Sequence, residues 1–249
     1  MRNKILTFEL PVDFLPKISL NLEALFKNIE QSCVTNDPIV HHFALNNLIK
    51  VIKLIEKPEL KSRYIKELIR IEHLINKSEQ TISNHLYARL FVQIQILSHI
   101  SGRFGESIHH DLFIGSLKYL DSLSNSDVEV QEPQLLFWLE KEATLRQKNL
   151  ISWLGYLRTL WDTVDIYLSI LRELAVFEQI NLENGFYNKP LPTKKNHHLI
   201  TIRMSHMGDI VPKMQLTHNS LSVRLYDAYS MSEISHSPDS IFDLAVSQF

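Results

Sequence analysis

The sequence predicts an α+β protein: a mostly α-helical domain with a smaller antiparallel β domain built from the N-terminal strand and the C-terminal strands. Three observations carry this prediction. From Leu150 to Ala175 apolar residues recur three and four apart, through Trp153, Leu157, Leu160, Val164, Leu168 and Leu171, which is the stripe one face of a long helix buries. Later, Ile200, Ile202 and Met204, then Leu221, Val223 and Leu225, alternate with polar residues at the period of two expected of half-buried strands. Between the two patterns stands Asn184-Gly185-Phe186-Tyr187, whose Asn-Gly pair tolerates positive φ and marks a turn where helical spacing gives way to strand spacing.

Taken in order, Leu6, Phe8 and Leu10 alternate with Thr7 and Glu9 and form a short strand ended by Pro11. A helix follows from about Ile18 to Cys33. Asp37-Pro38 supplies a cap and a first-turn proline for the next, whose stripe is Leu45, Leu48, Ile49, Ile52 and Ile55, and Lys57-Pro58 stops it. Helices from about Glu59 to Asn76 and from Asn84 to Ile100 show Tyr64, Leu68, Ile71 and Ile75, and Tyr87, Leu90, Phe91, Ile94 and Leu97. A turn from Gly102 to Gly105 leads into helical sequence to about Leu123, and Ser124 to Pro133 is a polar loop. The long helix begins beyond Glu142. After the Asn-Gly turn, Asn188 to Asn196 is a Pro- and Lys-rich loop. Strands at about Leu199 to Ser205, Ile210 to Thr217 and Ser220 to Tyr226 are joined by turns at Gly208-Asp209 and His218-Asn219. A Ser-rich surface loop spans Asp227 to Asp239, and Phe242, Leu244 and Val246 make a last strand. A lone N-terminal strand is unstable, so it pairs with these C-terminal strands. The expected domains are 13–180, helical, and 1–12 plus 184–249, β.

With 45% hydrophobic residues over 249 positions the chain can bury a sizeable core, and six Gly and nine Pro exclude linker-rich and collagen-like classes. No apolar run reaches membrane-span length, and Thr7 and Glu9 interrupt the segment where a signal peptide needs apolar residues, so the expected location is cytoplasmic with no membrane partner. One cysteine, Cys33, fits a reducing compartment and makes neither an internal disulfide nor a thiolate zinc site. The 26 Lys and Arg against 28 Asp and Glu leave no excess charge for nucleic acid. The histidine pairs His41-His42, His109-His110 and His197-His198 lack ligand spacing, so they read as surface residues and no metal is expected. Phosphate-binding loops, a Gly-x-Ser-x-Gly elbow and cofactor motifs are missing, which reads as a non-enzyme without cofactor. Trp153 and Trp161 lie on the apolar stripe and read as core; Trp138 is a core residue or an interface anchor.

Phe8-Glu9-x-Pro11, Leu22-Glu23-x-Leu25, Lys66-Glu67-Leu68, Trp138-Leu139, Trp153-Leu154, Asn184-Gly185-Phe186-Tyr187, Pro212 and Val223-Arg224-Leu225 together resemble the ZapD family of bacterial cell division. The likeness spans nearly the whole chain, and Asn-Gly-Phe-Tyr is its most specific piece. It implies a helical domain plus a β domain in a homodimer that binds the C-terminal tail of the tubulin-like protein FtsZ and bundles its filaments in the Z-ring at mid-cell. Arg103 and Arg224 match family basic positions and Lys118 and Lys213 lie near others, which makes these four the expected tail contacts. Asn184, Gly185, Phe186 and Tyr187 are expected to have a structural role, docking the β domain onto the end of the long helix. Three places where the family carries a basic or histidine residue hold Asn21, Asp111 and Leu136 instead. Two alternatives therefore stay open: a diverged ZapD-like dimer with another protein partner, and an unrecognised ligand-binding domain or hydrolase.

Overall fold

A computed structural model describes residues 5–57, 59–77, 82–123, 133–191, 197–205, 209–217, 220–234 and 240–248; for 118–123, 240 and 241 only the backbone is described. The predicted turns at Gly208 and at His218-Asn219, the loop from Ser124 to Glu132 and the lysines Lys194-Lys195 lie outside this set. The fold is α+β. The chain divides into two compact units. One comprises Met1–Lys17, Ser78–Ile82 and Ser169–Phe249, the other Ile18–Lys77 and Ser83–Leu168.

The second unit is helical. Its elements are α1 (Phe14–Ser32), most of which lies here, α2 (Pro38–Ile55), α3 (Glu59–Lys77), α4 (Asn84–His99), a 3-10 turn at Glu106–His110, α5 (Leu112–Leu123), α6 (Pro133–Leu139), α7 (Ala143–Tyr156) and most of α8 (Arg158–Glu173). Asp37 caps α2 as its sequence promises: the carboxylate accepts the Ile39 amide at 2.8 Å and Pro38 opens the first turn. The expected stripe of α2 is buried, with Leu45, Leu48, Ile52 and Ile55 all but sealed from solvent. Helix α1 packs Phe26 on Trp161 of α8, ring centroids 4.9 Å apart. Tyr64 of α3 sits edge-on to Tyr167 and Phe104 and shares a 2.7 Å hydrogen bond with Ser19. Burial drives the Tyr64 phenol well above its ordinary range, so it stays a neutral hydrogen-bonding group. Helix α4 is tied to α8 by Arg89 to Asp165 and by Gln93 to Thr163, both at 2.7 Å.

The single long helix expected from Leu150 to Ala175 is two. Leu157 interrupts it at φ −100°, ψ 4°, with its amide donating to Leu154 O in a tightened turn. Its side chain is fully buried against Gly105. Apolar spacing carries straight across a one-residue break, because the residues on both sides still face one core; periodicity alone does not reveal it. Helix α6 has no counterpart among the expected helices.

The first unit holds seven strands among the described residues: β1 (Ile5–Pro11), β2 (Phe177–Leu182), β3 (Phe186–Pro190), β4 (His197–Ser205), β5 (Ile210–Leu216), β6 (Ser220–Asp227) and β7 (Ser240–Gln248). They form an antiparallel four-stranded sheet, β1-β4-β7-β2, and a three-stranded sheet, β3-β6-β5. The N-terminal strand does pair with a C-terminal one, Phe8 opposite Ile202. Strands β2 and β3 depart from the sequence expectation, which puts the first C-terminal strand at Leu199 and a loop over Asn188 to Asn196. Nor do β4 and β5 pair as neighbours, since each belongs to a different sheet. Ile180, Leu182, Ile200, Ile202, Met204, Phe242 and Leu244 of the larger sheet meet Leu221, Val223 and Leu225 of the smaller in one buried cluster. Burying each such side chain contributes about 1.5–3 kcal/mol, so this sandwich core is the main source of the unit's stability. Strand β4 is buried on both faces; Leu199 and Thr201 look away from that cluster, and on the same side Ser247 donates to Leu171 O of α8 at 2.8 Å. Arg172 grips Glu9 of β1 with two 2.8 Å bonds.

Candidate functional site

Asn184 and Gly185 both have positive φ, 51° and 73°, as a tight hairpin turn requires, and Phe186 N–H donates to Glu183 O at 3.0 Å. The turn joins β2 to β3, carrying the chain from one sheet to the other. It does not mark the helix-to-strand change, because α8 has ended at Glu173 and β2 intervenes. Gly185 is required twice over. Its φ suits glycine, and a Cβ there would stand 2.3 Å from the Ile234 carbonyl oxygen. Its own carbonyl accepts the Leu225 amide at 3.0 Å. Tyr187 then packs toward the sandwich core while Phe186 faces outward, 38% exposed and opposite Arg224 of β6. The four residues lie within the β unit, where they lead into its smaller sheet.

The outward face of that sheet gathers two of the four cations singled out from the sequence. Lys213 of β5 is the register partner of Arg224 of β6, so two positive charges stand directly opposite on an exposed surface. Like charges so placed destabilise a sheet by roughly 0.2–1 kcal/mol, and packing gives no reason for them. Aromatic rings ease the cost: the Arg224 guanidinium lies 4.7 Å from the Phe186 ring centre and the Lys213 ammonium 5.2 Å from that of Tyr226. Arg224 also forms an ion pair with Glu233. That glutamate comes from the segment after β6, which folds back along it. Ile234 N–H donates to Leu225 O at 3.0 Å, and Glu233 bridges Tyr226. Asp227 fixes the bend by accepting from Ser230 N–H at 2.7 Å, the Ser230 hydroxyl at 2.8 Å and Tyr229 N–H at 3.1 Å, and these bonds, Ser230's first, hold its carboxyl below the usual range.

Arg103 belongs to the helical unit, in the turn before Glu106, and pairs with that residue at 3.3 Å. Lys118 lies in α5, its side chain outside the described set. Asn21 is exposed and Leu136 is 44% exposed. Asp111 serves the fold, since one oxygen accepts Ile114 N–H at the start of α5 at 3.0 Å and the other accepts the Trp153 indole N–H at 2.9 Å. Phe113 stacks on Trp153 at 5.6 Å, with Trp138 tilted 5.9 Å from each, and Trp138 donates to Asn149 at 3.1 Å. Both indoles are buried, whereas Trp161, expected in the core, is half-buried. Phe113, Pro133, Gln134, Phe137, Trp138 and Lys141 line a recess of about 320 Å³ beside this cluster.

The expectation of surface histidines fails at His41 and His198, which are buried. His41 Nδ1 accepts from Arg146 Nε at 2.9 Å, and its Nε2 bonds Thr35 O at 2.9 Å. Arg146, itself buried, also donates to Asn36 O, Leu139 O and Lys141 O. Burial first, and the adjacent guanidinium second, lower the His41 pKa. Nothing in local sequence distinguishes this clamp from an exposed histidine, because its partner lies 105 residues away.

A family model for ZapD, a cell division protein, matches residues 20–224. The chain belongs to the ZapD family. Relatives named cell division protein ZapD include those of Azoarcus sp., 20% identical with 88% of this chain and 90% of the relative aligned, and Chromobacterium violaceum, 22% identical with 90% and 91% aligned. That of Vibrio cholerae is 22% identical with 96% and 97% aligned. The ZapD match takes in Arg103, Lys118, Lys213, the Asn-Gly-Phe-Tyr turn and Arg224, where it ends. Glu233, which holds Arg224, lies beyond it. Three site features escape the sequence: Glu233, Tyr226 and the outward role of Phe186. Once Phe186 and Arg224 are known to be paired, strand parity puts both on one face; Glu233 has no such signal, because its position depends on how the loop folds back. Among the described residues no helix is long and apolar enough to cross a membrane.

Proposed function

We propose that this protein is a non-catalytic homodimer that binds the C-terminal tail of FtsZ on the outward face of its three-stranded sheet and cross-links FtsZ filaments at the mid-cell division site. The opposed pair Lys213 and Arg224 is the observation that carries the reading. Two exposed cations bordered by Phe186 and Tyr226 offer an extended acidic peptide both charge and apolar contact, and membership of a cell division family makes FtsZ the partner to test. Each contact can be weak. A dimer facing filaments that present many tails gains through effective concentration, so bundling needs no catalysis.

Fluorescence anisotropy with a labelled FtsZ tail peptide tests the site. Arg224→Glu is expected to weaken binding about tenfold at low salt and less as salt rises, because exposed charges are screened. Unchanged affinity would exclude the sheet face as the site. Light scattering after size-exclusion chromatography tests the dimer; a monomer at micromolar concentration would contradict it. The diverged-scaffold reading draws on Asn21, Asp111 and Leu136, and full-length protein that shows no tail binding while remaining a dimer would favour it.

A further inference from the structure

The sheet face already holds an acid. Arg224 is paired with Glu233, and that glutamate is delivered by a segment anchored independently of the ion pair. The Asp227 turn, the Ile234 amide to Leu225 O bond and the close seating of the Ile234 carbonyl over Gly185 fix its backbone. Only the side chain is left to choose a position. Arg224 and Glu233 side chains are 44% and 45% exposed, and an ion pair of that exposure is a weak one that another carboxylate can replace at little cost. Beside it, Lys213 faces Arg224 across the strands and has an aromatic ring as its neighbour. The arrangement is that of an occupied site for a carboxylate-bearing chain.

We propose that Glu233 is a built-in stand-in for the partner's acid: it occupies Arg224 in the free protein and is exchanged for a carboxylate of an acidic peptide laid across Phe186, Arg224, Lys213 and Tyr226. The inference rests on the sheet-face reading above and adds to it a specificity element outside the family match. Resident acid raises the threshold for binding. A peptide with a single weak contact does not displace Glu233, whereas one that engages Arg224 and Lys213 together does. It also spares the free protein two uncompensated like charges in register. Gly185 has a part in this, since any larger residue would lift the Ile234 backbone and with it Glu233.

The test is a tail-peptide titration of wild type, Glu233→Gln, Arg224→Gln and the double variant. Glu233→Gln is expected to tighten binding about two- to fivefold, the range an exposed ion pair commands. Arg224→Gln weakens it, and adding Glu233→Gln to Arg224→Gln restores nothing. Glu178→Gln, which removes the same charge from β2, is expected to leave affinity unchanged. Equal or weaker binding by Glu233→Gln, or an equal gain from Glu178→Gln, overturns the stand-in while a loss in Arg224→Gln leaves the site intact. No loss in Arg224→Gln overturns both the site and the stand-in, as does failure of all five proteins to bind.

Discussion

The two units treat the charges expected of them in opposite ways. In the helical unit Asp111 is consumed by the fold: it caps α5 and accepts the Trp153 indole, completing a cluster with Phe113 and Trp138. Arg103 there is paired with its near neighbour Glu106. On the smaller sheet of the β unit, Lys213 and Arg224 are set against each other where packing gains nothing from them. A charge serving the fold sits where its partners are buried or capping groups; a charge kept against the fold's interest points to a partner. The Asn-Gly-Phe-Tyr turn belongs with the second kind, because Phe186 supports Arg224 and Gly185 admits the segment that brings Glu233.

That contrast can be broken at several points. The largest effect is expected from Gly185→Ala, which forces a side chain into positive φ and against the Ile234 carbonyl; a loss of about 3 kcal/mol in urea unfolding follows from the strain. Unchanged stability would mean the turn relaxes and does not position Glu233. Asp111→Ala should cost about 2 kcal/mol by removing a cap and leaving a buried indole N–H without its acceptor, with tail affinity unaltered. If it instead abolished tail binding without unfolding, Asp111 would belong to the site. The smallest effect concerns His41. Its folded-state pKa is lowered below 6.5, so the unfolded chain takes up the proton first; stability is full above pH 6.5 and declines as pH falls toward the folded value. Urea midpoints between about pH 7 and about pH 5.5 should show this decline, and His41→Gln should flatten it.

Much of this architecture is legible in the sequence, and the physics explains which parts. The α2 stripe from Leu45 to Ile55 and its Asp37-Pro38 cap are local signals, and the structure contains both. Alternation at Ile200, Ile202 and Met204 reports a buried sheet face, which is enough to place β4. Strand β2 offers only Ile180 and Leu182, too few positions to show a period, and the break at Leu157 leaves the apolar phase unaltered. Sheet membership is not legible at all, since β4 and β5 look like consecutive strands yet pair elsewhere. For the site, Lys213 and Arg224 stand out as candidates, but their opposition depends on register, and Glu233 depends on a loop folded back by the Asp227 turn. Long-range pairings of this kind leave no mark on local spacing. Neither does the His41 to Arg146 clamp.

Whether the Lys213 and Arg224 face links this protein to FtsZ filaments is decided most directly by sedimentation. FtsZ polymers are spun at low speed with wild-type protein and with the Lys213→Glu/Arg224→Glu variant, after both are confirmed to be folded. Bundles are expected to pellet with the wild type, and FtsZ to remain in the supernatant with the variant. Equal pelleting by both would contradict a filament-linking role for this face.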